Sequence, residues 1–166
     1  PAEVELPPIE AVTRIDLVRY QIMIARGEQL HHSQSDIQVK GHAIECRINA
    51  EDPFDEFRPS PGRIEMYYQP GGRNVRVDTH AYAGYTIPPT YDSMIGKLIA
   101  SGKDRREAID RTNRALSEFM ITGIKTTISF QQAIMQDPNF RRGVYSTSFI
   151  EQLLGGARRE LIEEKT

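Results

Sequence analysis

The stretch 41–52, GHAIECRINAED, combines a strict two-residue period with an unusual polar face. Because successive side chains of a strand point to opposite sides, one side carries four polar residues, Glu45, Arg47, Asn49 and Glu51. An arginine among carboxylates has its charge partly balanced, yet its planar guanidinium stays available for a carboxylate-like or ureido-type ligand. The alternative is a solvated face of an antiparallel sheet, which the alternation by itself favours.

The opposite side of this strand carries Ile44, Cys46, Ile48 and Ala50, which are expected to face a core. Further alternation predicts strands at 63–68 and 75–78, paired as a hairpin around the turn 70–72. The apolar run 94–102 predicts a buried strand. Lys97 is the charged residue inside that run, and a lysine there is usually paired or extends its amine to solvent.

Helical spacing predicts four helices, at 13–27, 104–122, 129–136 and 148–154, with a turn at Asp137-Pro138. Asp104 is the expected N-cap of the clearest one, and Gly123 is its expected end. Its apolar face comprises Ala108, Ile109, Thr112, Leu116, Phe119 and Met120. Residues 1–10 contain three prolines and are interpreted as an extended segment or a cloning junction.

Composition limits the classes of function. The chain has 166 residues, 39% of them hydrophobic, enough for one modest core with flanking pieces. No run approaches a membrane span and no leader opens the chain, so neither a membrane nor secretion is expected. A net charge of −2 offers no general attraction for nucleic acid. The single cysteine, Cys46, excludes an internal disulfide and fits the cytoplasm, and no histidine stands at metal-ligand spacing.

Several long motifs occur in a fixed order: GHAIECRINAED, PSPG, PGG, AGYTIPPTYDSMIGKL and GIKTT. Over residues 11–154 the chain thereby resembles the C-terminal part of biotin carboxylase, the ATP-dependent component of biotin-dependent carboxylases such as acetyl-CoA carboxylase. The resemblance implies an α+β fold, an antiparallel sheet of three to four strands with packed helices. It also implies three parts: a remnant of the ATP-grasp domain at 1–40, the C-terminal domain at 41–154, and a charged, poorly ordered tail at 155–166.

The resemblance also implies roles for individual residues. The arginine of the ECRINAED motif, here Arg47, holds biotin and bicarbonate in the family. The upstream family motif RIQVEHPVTE falls on PAEVELPPIE, so Val4 matches a bicarbonate-binding backbone position and Glu5 matches the general base. Pro1 stands where the motif has arginine. Without that cation a glutamate loses charge stabilisation, and the alternative for Glu5 is an exposed carboxylate near a frayed terminus.

A homodimer interface is implied next to the PGG turn, at Arg73 and Arg76. An arginine pair at a sheet edge is also typical of a solvated edge. The family further implies biotin on a carrier protein, ATP with Mg²⁺ or Mn²⁺ in the full-length enzyme, and a carboxyltransferase component as partner. The nucleotide-holding parts of the family are missing from this sequence, so the isolated chain is expected to bind no cofactor and to be inactive.

Two other interpretations remain open. One is a non-catalytic module that dimerises or docks the carrier protein. The other is the equivalent region of a different ATP-grasp ligase, such as a carbamoyl phosphate synthase. Glu45, Arg47 and the YDSMIGKL run favour the biotin carboxylase branch over that last possibility.

Overall fold

A three-stranded antiparallel sheet lies at the centre of the fold, and the computed structural model describes residues 5–155. The strands are β1 (His42–Asn49), β2 (Glu51–Asp52), β3 (Arg58–Pro59), β4 (Gly62–Arg63), β5 (Met66–Tyr68), β6 (Val75–Thr79), β7 (Thr86–Ile87), β8 (Met94–Gly102) and β9 (Met120–Thr122). The helices are α1 (Leu6–Thr13), α2 (Leu17–Ala25), α3 (Arg105–Glu118), α4 (Ile128–Gln136), α5 (Pro138–Arg142) and α6 (Phe149–Gly155), with a short 3₁₀ helix at Gln34–Asp36. The central sheet has the order β1-β8-β6, which agrees with the expected α+β class.

The two faces of the central sheet differ in polarity, as the alternation in 41–52 predicts. On one face, Cys46, Leu98 and Val77 are opposite one another on the three strands, and α3 packs across this row. Four apolar-face residues of α3 are buried there, as expected: Ala108, Ile109, Thr112 and Leu116. Because this face buries side chains from both layers, the hydrophobic core lies between the sheet and α3.

The other face of the sheet is covered in part by α1, which contacts β1 and β8. Residues 6–10 are helical, so the expectation of an extended segment at 1–10 is wrong for its second half. Prolines are tolerated in the first helical turn, because the amides there have no acceptor within the helix. The Lys40 amide donates to the Val12 carbonyl at 2.9 Å and ties the end of α1 to the approach to β1.

The predicted hairpin between 63–68 and 75–78 does not form. Instead β5 pairs with β9, β4 pairs with β7, and β6 joins β8. Val75 and Val77 stand opposite Ala100 and Leu98, so β6 extends the apolar face of the central sheet. In β5 the inward residue is Tyr67, against Phe119, while the side chains of Met66 and Tyr68 are exposed.

Helix α3 is shorter than its periodicity predicts. It begins after the Asp104 cap, as expected, but it ends at Glu118, and Phe119 is extended. Residues 120–122 form β9 because they pair with β5, so Met120 is exposed rather than part of the helix face. The Asp137-Pro138 turn begins another helix, α5, which Asp137 caps through the amides of Asn139 and Phe140. The other predicted helices appear as α2, α4 and α6, with ends shifted by up to four residues at the first.

Candidate functional site

A cleft of about 650 Å³ lies on the polar face of the central sheet, beside α1. Its charged lining residues come from three strands and from the N-terminal segment: Glu5, Glu10, Arg47, Arg76, Asp78 and Lys97. Arg47 on β1, Lys97 on β8 and Asp78 on β6 are opposite one another, so they form one row across the sheet. Equal numbers of cations and carboxylates line the cleft, so its formal charge is balanced. A small anion or a carbonyl-type ligand would therefore be bound by individual arginine or lysine donors and not by net charge.

The Glu5 carboxylate is held by a cation at each oxygen. Arg47 donates from Nη2 to Oε1, and Lys97 Nζ lies 3.2 Å from Oε2. Lys97 lowers the pKa of the Glu5 carboxyl below its ordinary value of 4.5, against the opposing effect of partial burial. Glu5 is therefore an ionised carboxylate in an ion-pair network, with its side chain 43% exposed.

Beneath Glu5 lies a second carboxylate, Glu45, whose side chain is only 5% exposed. Lys97 Nζ lies 3.1 Å from its Oε1, and Arg47 Nε lies 3.9 Å from the same oxygen. Neither contact is aligned as a hydrogen bond, and within residues 5–155 neither oxygen of Glu45 accepts one. Burial raises the pKa of the Glu45 carboxyl above its ordinary value of 4.5.

Lys97 thus connects two carboxylates with opposite electrostatic tendencies. Burial alone would lower the pKa of the Lys97 amine, but the contacts with Glu45 and Glu5 outweigh burial and raise it. The amine is a cation at neutral pH, and of the two alternatives that the sequence left open for this lysine, the structure shows the paired one.

The backbone of Arg47 is held in place while its side chain remains open to the cleft. Its backbone carbonyl lies 3.3 Å from the Thr127 hydroxyl, with the Gln131 amide at 3.5 Å, so α4 and the residue before it fix the strand at this point. Its guanidinium is more than half exposed on the cleft. Glu51 does not contact Arg47, because it takes hydrogen bonds from Asn49 and Ser93 after the register shift at Ile48/Asn49.

Arg76 is paired within its own chain. Its Nε and Nη2 donate to the two oxygens of Asp78 at 2.7 Å each, and Nη1 lies 3.5 Å from Glu10. Arg73 is exposed in the turn before β6. The structure therefore brings Glu5, Arg47 and Arg76 to one cleft and leaves Arg73 outside its lining. Val4, the other expected site residue, lies outside the described residues.

Three charged residues of the cleft were not expected there: Lys97, Glu10 and Asp78. A lysine within an apolar run is the signal for the first. Glu10 matches the last acid of the family motif RIQVEHPVTE. Asp78 carries no local signal, since a carboxylate on a strand is ordinarily a solvated one.

The described residues offer no donor set for a divalent cation: in residues 5–155 no three His, Cys, Asp or Glu side chains are grouped as a metal site. The carboxylates of the cleft are instead engaged by arginine and lysine, so they do not fit the Mg²⁺ or Mn²⁺ that the family resemblance implies. No helix in the described part of the chain is both long and apolar enough to cross a membrane.

The chain is similar to known proteins over most of its length. The model of the biotin carboxylase C-terminal domain matches residues 45–152. The chain is 54% identical to a pyruvate carboxylase subunit from Methanothermobacter thermautotrophicus, covering 96% of this chain and 32% of that protein. It is 56% identical to a biotin carboxylase of Nostoc sp., covering 91% of this chain and 34% of that protein. The chain thus spans about a third of the length of these relatives.

Solved structures agree with the sequence relatives. The biotin carboxylase domain dimer of Hydrogenobacter thermophilus 2-oxoglutarate carboxylase, in complex with MgADP, ADP and bicarbonate, superimposes with a TM-score of 0.89 at 47% identity over 92% of this chain and 34% of that chain. The biotin carboxylase subunit of a pyruvate carboxylase superimposes with a TM-score of 0.89 at 45% identity, over 97% of this chain and 35% of that one. Both the sequence and the fold therefore show that the chain belongs to the biotin carboxylase C-terminal domain family.

Proposed function

We propose that this chain is the C-terminal part of a biotin carboxylase, which in the whole protein uses ATP and bicarbonate to carboxylate biotin on a carrier protein. The observation that carries the proposal is the Glu5 carboxylate held between Arg47 and Lys97 on the cleft. In the same proposal, residues 1–40 are the edge of an ATP-grasp domain, 41–154 form the C-terminal domain, and 155–166 form a charged tail.

In this proposal Arg47 binds the reacting anion. Its planar fork presents two parallel N–H donors to bicarbonate, and the same donors stabilise the negative charge that develops on the ureido oxygen of biotin. More than half of the Arg47 side chain is exposed on the cleft, so its donors are reachable by a ligand. ATP, held with Mg²⁺ or Mn²⁺ by other parts of the whole protein, would supply the phosphoryl group that activates bicarbonate.

Glu5 is the proposed general base. The cations at its two oxygens keep the carboxylate ionised, so it can accept the hydroxyl proton of bicarbonate when Arg47 neutralises the charge that remains on the anion. Val4 would contribute through its backbone, as the family motif implies.

Assembly is also part of the proposal. We infer a homodimer in the whole protein, with Arg73 and Arg76 next to the interface, and a biotin carrier protein and a carboxyltransferase component as further partners. Arg73 is exposed in its turn and so is free to reach a second protomer. Arg76 is already paired with Asp78 and Glu10, so its contribution to an interface would be through its exposed edge.

The test uses the full-length parent protein with purified biotinylated carrier. Glu5→Gln should reduce bicarbonate-dependent carboxylation of biotin by at least tenfold, measured well below its melting temperature so that the protein is folded. Glu28→Gln is the matched control, because Glu28 is exposed and pairs only with Arg26 among the described residues of this chain. A Glu5→Gln enzyme with the wild-type rate would refute the assignment of the base.

The isolated 166-residue chain should neither hydrolyse ATP nor carboxylate free biotin, because its described residues include no nucleotide-holding loop or metal site. Phosphate release that requires both bicarbonate and biotin would contradict this. A parent protein that is inactive but binds biotinylated carrier would instead favour the non-catalytic docking module.

A further inference from the structure

Two charged residues outside the family motif's base-and-arginine set lie at this cleft: Lys97, which lines it, and Glu45, which lies beneath it. The proposed mechanism uses Lys97 only as a cation beside Glu5 and gives Glu45 no role. Lys97 is at the middle of β8, in the row between Arg47 and Asp78. Glu45 lies two residues before Arg47 on β1, on the same face of the sheet. Charged side chains in the central part of a sheet cost desolvation free energy. A functional contribution of Lys97 and Glu45 would offset this cost.

Glu45 is the buried end of this pair. Its side chain is only 5% exposed, and neither oxygen accepts a hydrogen bond within residues 5–155. The closest cation is the Lys97 amine, at 3.1 Å. Glu45 therefore holds the amine by its charge from beneath the cleft, and on the cleft side the amine donates a hydrogen bond to Glu5.

On the cleft side, the amine contacts Glu5 at the oxygen that Arg47 does not use. This division matters when a ligand arrives. If bicarbonate or the biotin carbonyl takes the donors of Arg47, the Glu5 carboxylate loses that contact but keeps the one from Lys97. Glu5 is thus compensated both before and after the exchange, without a rearrangement of the strands.

We propose that Lys97, anchored by the buried Glu45, is the positioning residue of Glu5: it fixes the orientation of that carboxylate and keeps it ionised while Arg47 is engaged with the substrate. The inference rests on the proposed function, in which Glu5 is the base. The other charged groups that face the same cleft are Arg47, Arg76, Asp78 and Glu10. Arg76, Asp78 and Glu10 are paired with one another, so Lys97 and Arg47 are the cations that contact Glu5.

The first experiment measures the charge state of Glu5 in the 166-residue chain, independently of activity. Carboxyl carbon NMR gives the pKa of Glu5 in the wild type, in Lys97→Met and in Lys97→Arg. Lys97→Met should shift the pKa of Glu5 upward, and Lys97→Arg should restore most of the wild-type value, because it keeps the cation. Lys125→Met is the matched control, since Lys125 is exposed and does not line the cleft.

Removing Lys97 alone leaves Glu45 buried without a close ammonium, and that variant can fail to fold. A second comparison avoids this problem by removing the pair together. The double variant Lys97→Met/Glu45→Gln is measured against the single variant Glu45→Gln. The double variant should again show the higher pKa at Glu5, because Lys97 is the only difference between the two proteins.

The second experiment uses the full-length parent and records the bicarbonate-dependent rate against pH. Lys97→Met should lower kcat by roughly tenfold or more, with a small effect on the KM for ATP, and should move the acidic limb of the profile to higher pH. Lys97→Arg should recover much of the rate. A merely structural lysine would change thermal stability without moving the limb.

The two experiments separate the inference from the function on which it rests. An unchanged pKa of Glu5 in both Lys97→Met comparisons overturns the positioning role, whatever the activity. A raised pKa of Glu5 together with an unmoved rate profile leaves the electrostatic link in place but removes Glu5 as the base. A raised pKa with a shifted profile supports both.

Discussion

Arg47 and Lys97 stand opposite each other on neighbouring antiparallel strands, and each contacts a different oxygen of the same carboxylate, Glu5. Glu5 is 42 residues from the first and 92 from the second in sequence. The charge network of the cleft is therefore a product of the tertiary fold, since no local motif brings these three groups together.

Arg47→Lys in the full-length parent should keep the fold and lose rate. Both side chains have long apolar stems, and the Arg47 anchors at Thr127 and Gln131 are made by its backbone carbonyl. Loss of the planar two-point contact should cost about 2 to 4 kcal/mol of transition-state stabilisation, seen mainly in kcat for biotin carboxylation. Melting temperature and the bicarbonate-dependent rate are measured on the same preparation.

Arg58→Lys is the matched control for that substitution. Arg58 is an exposed arginine that pairs with Asp55 and does not line the cleft. It should change neither quantity. If Arg47→Lys lowers the melting temperature but keeps the full rate, Arg47 is a structural partner of the carboxylates and not a substrate ligand.

Glu45→Gln should make stability less dependent on pH on the basic side of the ordinary glutamate pKa. Because burial raises the pKa of Glu45 in the folded state, the native protein binds more protons than the unfolded chain above pH 4.5, so this group lowers the free energy of unfolding as pH rises. The glutamine variant lacks that loss. In urea unfolding at pH 4, 5, 6 and 7, the free energy of unfolding of the variant should increase relative to that of the wild type at each higher pH.

Glu5 has the opposite effect to Glu45 on the pH dependence of the free energy of unfolding. Its lowered pKa contributes stability above pH 4.5 that is lost as pH falls through the folded-state value. Glu5→Gln should therefore lose stability relative to the wild type as pH rises. Parallel slopes for the two variants would contradict the assignment of opposite shifts.

Leu98→Ala should destabilise the domain by about 2 to 5 kcal/mol, because it removes a large side chain from the core and leaves a cavity. Leu98 has no exposed surface and packs between the sheet and α3. Leu30→Ala is the control at an exposed leucine, and it should change the free energy of unfolding by less than about 0.5 kcal/mol. Equal effects in urea unfolding would place the core elsewhere.

Gly41→Ala should be more damaging than Gly27→Ala, although both glycines have a positive φ, of 78° and 83°. The backbone strain is common to the two and is about 1 kcal/mol. At Gly41 a Cβ would also lie 2.3 Å from the Gly102 carbonyl oxygen, whereas at Gly27 nothing lies within 4 Å. The thermal midpoint of Gly41→Ala should fall well below that of Gly27→Ala.

Elements with a long, regular pattern were predicted well from the sequence. The two faces of β1, the buried β8 and the start of α3 at Asp104 all follow from periodicity and capping, which are local. The position of Arg47 on the polar face, where it lines the cleft, could be predicted because the strand pattern and a long motif coincide at it. The pairing partners of the strands could not be predicted, and β5 shows why. Its alternation fits a hairpin, but its inward residue Tyr67 packs against Phe119, which is far along the chain.

The cleft was predicted only in part for a related reason. Glu5 looked like a carboxylate without a cation, because the motif arginine is replaced by Pro1. Its cations come from β1 and β8, and only the register of those strands shows that they reach it. Lys97 carried a signal in its apolar surroundings, but the identity of its partners is a property of the sheet.

Helix α1 buries none of its residues and is attached to the sheet mainly by its contacts at β1 and β8, by the Glu10 ion pair with Arg76, and by the Lys40 amide. The central strands, by contrast, share a core with α3. Local opening of α1 therefore requires much less free energy than global unfolding, and its amides should exchange with deuterium sooner than those of β8. Since the Glu10–Arg76 ion pair is one of these attachments, a rise in ionic strength should widen that difference. The fold can persist while the cleft comes apart, so the chain's melting temperature is a poor measure of how intact the cleft is.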